Sequence, residues 1–135
     1  MLFYMGVIFF LSSSATPEIL EKAPDYVLHF LGYAFLAVLS VRALARGLSG
    51  PLENRSLFYS LLLSLTYAAS DEWHQSFVPG RVASLADLLA DALGIVAAAA
   101  VLFVVWRLGE HRRFASERSA SAASRGAKAR GGGPR

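Results

Sequence analysis

The chain of 135 residues is 55% hydrophobic and only 17% charged, whereas soluble domains are about half apolar and about a quarter charged. Eight of its 13 Lys and Arg residues lie at or after Arg107, so the basic excess belongs to the C-terminal segment, and no nucleic-acid-binding motif accompanies it. The absence of cysteine excludes disulfides, thiolate catalysis and cysteine-based metal sites. We therefore expect a one-domain membrane protein with no nucleic-acid partner.

The first two apolar segments predict two membrane spans of unequal length. Met1–Leu11 is apolar and lacks the basic n-region of a cleaved signal peptide. At about 1.5 Å per residue, this segment crosses roughly half of a bilayer core, so we expect a first span that is short or truncated at its start. Asp25–Leu44 has the length of a full span, with His29 and Arg42 as its strongly polar interruptions.

The second half of the chain predicts two more spans. A loop rich in helix-breaking and polar residues, 46–55, comes first. Leu57–Ala69 predicts the third span, which either continues through Gln75 or ends with acidic residues at the membrane boundary. Val78–Arg81 predicts a β-turn in which glycine takes the positive-φ position. Leu85–Trp106 is the clearest span.

The distribution of basic residues predicts the orientation of these spans. Three arginines occupy the second loop and eight basic residues follow from position 107, whereas the first and third loops hold one basic residue each. Because basic residues concentrate on the cytoplasmic side, we expect both termini there. The predicted fold is all-α: a domain of four transmembrane helices over residues 1–106 in the inner (plasma) membrane, and a basic, disordered cytoplasmic tail over residues 107–135.

This orientation places many ionisable residues at the outer ends of the helices. Asp91 lies about 9 Å into the fourth span, where an ionisable group is costly and normally faces the bundle interior or a wet cavity. We therefore expect one outer pocket that also contains Glu72 and Arg81. Residues four apart share a helix face, and that spacing recurs at three helix ends, in Asp25 and His29, in Asp71 and Gln75, and in Asp87 and Asp91.

Structural roles also fit several of these residues. Ser84–Asp87 has the form of an N-terminal capping box, and His29, considered alone, is better explained as a hydrogen-bonded interior histidine. Asp71–Glu72 opposes the helix dipole at a C-terminal end, which weakens a purely structural interpretation of that pair. Gly32 and Gly94 predict close packing of helices.

The motif in the second half of the chain resembles the VanZ-like family, which is named for a teicoplanin-resistance protein. That family's pattern combines an acidic pair, a Gln, a Phe-x-Pro-Gly-Arg turn, and an Asp followed four residues later by Asp or Asn. The similarity covers residues 1–106 and departs at Tyr26, where Lys is common. The matching positions are Asp71 to Arg81 with Asp87, Asp91 and Gly94, the second-helix residues Asp25, His29, Phe30 and Tyr33, and Ser12-Ser13 at the end of the first helix.

The resemblance implies a four-helix membrane protein associated with glycopeptide susceptibility. Our first hypothesis is a membrane enzyme or binder that acts on an envelope lipid or a lipid-linked cell-wall precursor. Acids with a histidine could perform general acid–base chemistry on a polar head group, and an arginine could contact its phosphate or carboxylate. The catalytic candidates are His29, Asp71, Glu72 and Asp91, and the substrate-binding candidates are Asp25, Gln75, Arg81 and Asp87.

The residues leave open one variant of this hypothesis and two other functions. The same acids could hold a divalent cation such as Mg²⁺ against a phosphate, since oxygen ligands suit that ion. Alternatively, the chain is a non-enzymatic membrane helper or scaffold, and its polar motif is a structural network that locks the helix ends together. A proton-coupled transporter is a third function, less favoured for a chain with four short spans.

Overall fold

A computed structural model describes residues 1–13, 24–45 and 52–131, with side chains as far as His111. Within these ranges the chain forms four α-helices and no strands, which confirms the all-α prediction. The predicted first loop with Lys22 and residues 46–51 of the second loop lie outside the described residues. The helices are α1 (Leu2–Ser12), α2 (Asp25–Leu44), α3 (Asn54–Gln75) and α4 (Leu85–Gly131).

The observed helix bounds agree with the sequence in most places. Helix α2 coincides with the predicted second span, and α3 continues through Gln75. Asn54 and Arg55, predicted as loop residues, instead form the start of α3. The reason is that the last helix-breaking residue of the loop is Pro51, and neither Asn nor Arg prevents helix formation.

The predicted disorder of the tail is corrected by the structure. Helix α4 does not end near Gly109 but continues to Gly131. The segment contains no proline and is rich in alanine and arginine, which have high helix propensities. Extending an existing helix also avoids the unfavourable nucleation step, so this segment needs no buried apolar surface to continue the helix.

Two of the four helices have the length and apolar character needed to cross a membrane. They are α2, over Asp25–Leu44, and the Leu85–His111 part of α4. Helix α1 is apolar but shorter. These helices support a membrane protein, while spanning by all four helices and the orientation of the termini stay predictions.

The hydrophobic core lies in the compact unit Met1–Leu102 and takes side chains from every helix. The backbones of α2 and α4 approach closely at Gly94, where an added Cβ would lie 2.3 Å from the carbonyl oxygen of Phe30. The predicted close packing at Gly94 is therefore confirmed. At Gly32, an added Cβ would have one neighbour among the described residues, the Tyr4 hydroxyl at 3.8 Å, which is an ordinary contact. The prediction of close helix packing at Gly32 is therefore wrong. The main core residues are Ile8, Tyr33, Leu36, Ala37, Ala68 and Ile95.

The second unit begins at Phe103 and contains Trp106 and Arg107, at the end of the predicted fourth span. The guanidinium carbon of Arg107 lies 5.2 Å from the ring centroid of Phe103 and 5.6 Å from that of Trp106. Both distances are within the range of a cation–π interaction. This cluster combines aromatic rings with a cation, the composition expected where a helix leaves a bilayer.

A tight turn brings the end of α3 close to the start of α4. The Arg81 amide donates to the Val78 carbonyl at 3.1 Å, and Gly80 has a φ of 84°. Proline before a glycine of positive φ is the pattern of a type II turn, so the turn predicted over Val78–Arg81 is confirmed. The turn places the acidic end of α3 beside the acidic start of α4.

Candidate functional site

Three side chains from three helices meet at this end of the bundle. Nδ1 of His29 on α2 lies 3.0 Å from Oδ1 of Asp91 on α4 and 3.7 Å from Oε1 of Glu72 on α3. The three side chains are 9%, 0% and 8% exposed, respectively. With Asp91 ionised, its oxygen can only accept, so Nδ1 carries the proton in this hydrogen bond. We call His29, Glu72 and Asp91 the buried triad.

Glu72 also contacts the start of α4. Its Oε2 accepts a hydrogen bond from the Ser84 amide at 2.9 Å, and the Ser84 hydroxyl accepts one from the Ala86 amide at 3.2 Å. Ser84 therefore caps α4 with its own side chain, as its place in the capping-box pattern predicted. The same carboxylate thus holds the first residues of α4 and contributes to the buried triad.

Three carboxylate oxygens at this end are buried and have no hydrogen-bond partner among the described residues. They are Oδ1 of Asp71, Oε1 of Glu72 and Oδ2 of Asp91. Most buried polar atoms in proteins have a hydrogen-bond partner. These oxygens therefore have acceptor capacity that the packing of the helices leaves unused.

Asp71 and Gln75 form a second group that joins α1 to α3. Oδ2 of Asp71 accepts hydrogen bonds from the Ser12 hydroxyl at 2.8 Å and from Nε2 of Gln75 at 3.1 Å. All three residues are buried. The four-residue spacing of Asp71 and Gln75 thus produces a direct contact along α3, and Ser12 extends it to the neighbouring helix.

Arg81 links the turn to the ends of two helices. Its Nη1 lies 3.5 Å from Oδ2 of Asp25, and its Nη2 donates to the Leu11 carbonyl at 3.2 Å. The structure thus pairs Arg81 with an acidic residue, Asp25. Half of the Asp25 side chain stays exposed, so this ion pair lies at the rim of the site.

A cavity of about 120 Å³ lies beside these groups. Five of the eight predicted site residues line it, and apolar side chains such as Ile8 and Leu28 form much of the remaining wall. Glu72 and Asp91 do not line the cavity, but both lie beside His29, which does. The carboxylate of Asp87 offers an oxygen within 4.8 Å of ligand atoms of Asp25 and His29. The five lining residues are Asp25, His29, Asp71, Gln75 and Arg81.

The structure therefore brings all eight predicted site residues to one end of the bundle, and the roles assigned to them stay predictions. Sequence reasoning did not assign Ser12 and Ser84 to the site. Both carried a signal, Ser12 as part of the first-helix motif and Ser84 as a candidate cap. His74 lies outside the buried triad, with Nε2 3.0 Å from the Ser13 hydroxyl and its ring stacked on Phe9.

One known protein family matches most of the chain. Residues 1–107 match the family described as VanZ/LLP1, a range that includes every helix segment bearing a site residue. No curated protein and no solved structure matches the chain. Because the match spans well over half of the sequence and includes the acidic-pair and Pro-Gly-Arg motifs, the chain belongs to the VanZ/LLP1 family.

Proposed function

We propose that the chain is a multi-pass protein of the inner (plasma) membrane that binds or acts on an envelope lipid or a lipid-linked cell-wall precursor. Its site faces outward, and its activity changes susceptibility to glycopeptides such as teicoplanin. The observation that carries this proposal is the buried triad beside a cavity with both apolar and charged walls. An amphiphilic ligand needs both kinds of wall, one for its hydrocarbon part and one for its head group.

Exposed apolar side chains support four spans. Helix α3 has 22 residues, and at about 1.5 Å per residue it is long enough to cross the hydrocarbon core. Phe58 and Leu62 on α3, and Phe3 and Phe10 on α1, are exposed. A large apolar surface of this kind is stable against lipid and unfavourable against water. With basic residues on the cytoplasmic side, four spans place the buried triad at the outer face.

The head group would meet the charged rim of the cavity first. Arg81 has a planar guanidinium that suits phosphate and carboxylate groups, and it lies at the cavity wall, paired with Asp25. An anionic head group can compete with the exposed Asp25 carboxylate for this cation, since ion pairs in contact with water are individually weak. Arg81 is thus the residue proposed to position the head group.

The proposed chemistry is proton transfer by His29. Asp91 accepts a hydrogen bond from Nδ1 and so orients the imidazole, in the way that a carboxylate orients a catalytic histidine. Imidazole changes its charge near neutral pH, so His29 can take a proton from a head-group hydroxyl or a water and return it later. Glu72 supplies a second carboxylate near the same nitrogen.

A scaffold function is the second candidate, and one observation favours it. Ser12, Asp71 and Gln75 share hydrogen bonds that tie α1 to α3 without involving the buried triad. This group satisfies the description of a network that locks helix ends together. If the whole motif worked in this way, the chain would assist other envelope proteins and change no substrate itself.

The two candidates can be separated in cells. Lipids and peptidoglycan precursors would be compared in cells that lack the protein and in cells expressing wild type, Glu72→Gln or Asp91→Asn, and the membrane abundance of each variant would be measured alongside. A site that acts on a lipid predicts a change with wild type that Glu72→Gln abolishes. A scaffold predicts unchanged lipids and precursors, and loss of membrane-embedded protein in the variants.

A further inference from the structure

We propose that His29, Glu72 and Asp91 bind one divalent transition-metal ion, and that zinc is the ion they fit best. This inference concerns the site of the proposed function. It rests on that proposal in one respect, namely that the site faces outward. Each residue offers one ligand atom, and these atoms all lie within 4.8 Å of one another. They come from α2, α3 and α4.

Two of the three distances within the buried triad are close to those of a tetrahedral zinc centre. Zinc–nitrogen and zinc–oxygen bonds of about 2.0–2.2 Å place neighbouring ligand atoms about 3.3–3.5 Å apart. In the structure, Nδ1 of His29 is 3.0 Å from Oδ1 of Asp91 and 3.7 Å from Oε1 of Glu72. These two distances bracket the required value, and the carboxylate oxygens of the third pair lie within 4.8 Å of each other.

Unused acceptors provide a second and independent observation. Oε1 of Glu72 and Oδ2 of Asp91 are buried without hydrogen-bond partners among the described residues. Glu72 is 6% exposed and Asp91 is 0% exposed, so water cannot reach either carboxylate freely. A bound cation would satisfy oxygens that the protein's own donors do not.

The charges of the buried triad point to a divalent ion. His29 is the basic side chain, among the described residues, that lies within ion-pair distance of both carboxylates. One imidazolium balances only one of them, and an unbalanced buried charge is strongly unfavourable. A divalent cation balances both carboxylates and leaves His29 neutral, which is the form of histidine that binds metals. Nδ1 of His29 would then bind the ion instead of donating to Asp91, and a water on the ion would supply the proton-transferring group in place of His29.

The ligand types favour zinc over the Mg²⁺ that the sequence left open. Mg²⁺ and Ca²⁺ prefer sites made entirely of oxygen ligands, whereas imidazole suits zinc and neighbouring transition metals. Three protein ligands leave a fourth position for water or a ligand atom, as in catalytic zinc sites. The Ser84 amide holds the other oxygen of Glu72 at 2.9 Å, which orients that carboxylate as outer-shell contacts do in metal sites.

A second group of candidate ligands, Asp25, His29 and Asp87, lies nearby and is a poorer site. The Asp25 side chain is 49% exposed and already pairs with Arg81. Asp25 would have to give up that pairing to bind a metal, whereas the buried triad has unpartnered oxygens. We therefore assign the ion to the buried triad.

The test is direct metal binding by the full-length chain. The protein would be purified in detergent with a histidine-free affinity tag, and its metal content measured by mass spectrometry. Titration with Zn²⁺ and Mg²⁺ would then give affinities for wild type, Glu72→Gln, Asp91→Asn, Asp25→Asn and the control His74→Gln. Circular dichroism would establish that each variant remains helical.

We expect about one zinc per chain, and a loss of affinity of at least about tenfold in Glu72→Gln and Asp91→Asn. His74→Gln should bind zinc like wild type. Absence of zinc binding by the helical wild type, or equal binding by all variants, would overturn the proposal. So would loss of binding in Asp25→Asn with full binding in Glu72→Gln, since the ion would then belong to the other group.

Failure of the metal site and failure of the proposed function are distinguishable. Zinc binding without any change in lipids or precursors would leave the metal site standing and contradict the lipid function. A change in lipids that depends on Glu72, from a protein that binds no zinc, would contradict the metal site alone. Both measurements use the same variants.

Discussion

Nδ1 of His29 and Oδ1 of Asp91 lie 3.0 Å apart although 62 residues separate them in the sequence. The contact joins α2 to α4 on the buried side of both helices. It explains how a fully buried aspartate is tolerated, since a buried charge needs a partner that also satisfies its hydrogen bonds. The protonation state of either residue therefore depends on the other, and on Glu72 beside them.

The first prediction is that Glu72 and Asp91 act as one unit. Glu72→Gln and Asp91→Asn keep the side-chain shape and remove the charge, so each should reduce glycopeptide-related activity strongly while membrane abundance is kept. The double variant should be little worse than either single one, because effects of groups that act together are not additive. The measurement is teicoplanin susceptibility at equal membrane abundance.

Strictly additive losses would instead indicate two separate roles. Full activity of Asp91→Asn would be the less damaging result, because the family pattern itself admits Asn at this position. Full activity of Glu72→Gln would favour the scaffold function.

The second prediction concerns the close contact between α2 and α4. Gly94→Ala should destabilise the protein by about 1–3 kcal/mol, because the new Cβ would meet the backbone of Phe30 at 2.3 Å and a backbone cannot easily move aside. The control is Gly6→Ala in α1, where an added Cβ has no neighbour within 4 Å among the described residues. Unfolding in detergent would measure both variants, and equal stability would contradict the packing at Gly94.

The third prediction separates the structural group from the buried triad. Ser12→Ala removes a donor to the buried Asp71 carboxylate, and should lower stability by about 1–3 kcal/mol. Ser70→Ala is the matched control, since Ser70 is exposed and its hydroxyl donates to the carbonyl of Tyr67, three residues earlier in the same helix. Its effect should stay within about 0.5 kcal/mol. A Ser12→Ala variant of normal stability that has lost activity would place Ser12 in the functional site instead.

The fourth prediction is the orientation of the chain. A reporter enzyme fused after Arg113 should report the cytoplasm, and one inserted after Phe77 should report the outer side, because the basic residues cluster near the former position. A reporter signal from outside the cytoplasm at Arg113 would mean that the site faces the cytoplasm, and would contradict its access to the outer leaflet.

The fifth prediction concerns the C-terminal segment. Deleting residues 109–135 should leave membrane insertion and activity largely intact, because the arginines of the second loop still set the orientation. Protease protection and teicoplanin susceptibility would measure insertion and activity, respectively. Normal insertion with complete loss of activity would show that the segment has a function of its own.

Much of this arrangement could be predicted from the sequence because local patterns determine it. Helix α2 coincides with the predicted second span, since its bounds depend on a continuous apolar run. The hydrogen bond between Asp71 and Gln75 follows from their four-residue spacing, because residues one helical turn apart face the same side. The turn at Gly80 follows from the conformational freedom that glycine alone provides.

The pairings between helices could not be predicted in the same way. His29 pairs with Asp91, and Arg81 pairs with Asp25, but the sequence allowed each base to meet any of several acids at that end. The choice depends on helix rotation and on the close approach at Gly94, which are properties of the assembled bundle. The continuation of α4 to Gly131 does not follow from the amount of apolar surface that the segment can bury. It follows from helix propensity, which is enough to extend a helix that has already formed.

The two oxygens of Glu72 make different contacts. Oε2 accepts a hydrogen bond from the Ser84 amide, and Oε1 lies 3.7 Å from Nδ1 of His29. A carboxylate is rigid and planar, so neither oxygen can turn without moving the other. Any ligand that draws Oε1 toward itself therefore pulls on the first residues of α4 through Oε2. Occupancy of the site is in this way linked to the position of residues 76–84, and a ligand at His29 would also affect the turn between α3 and α4.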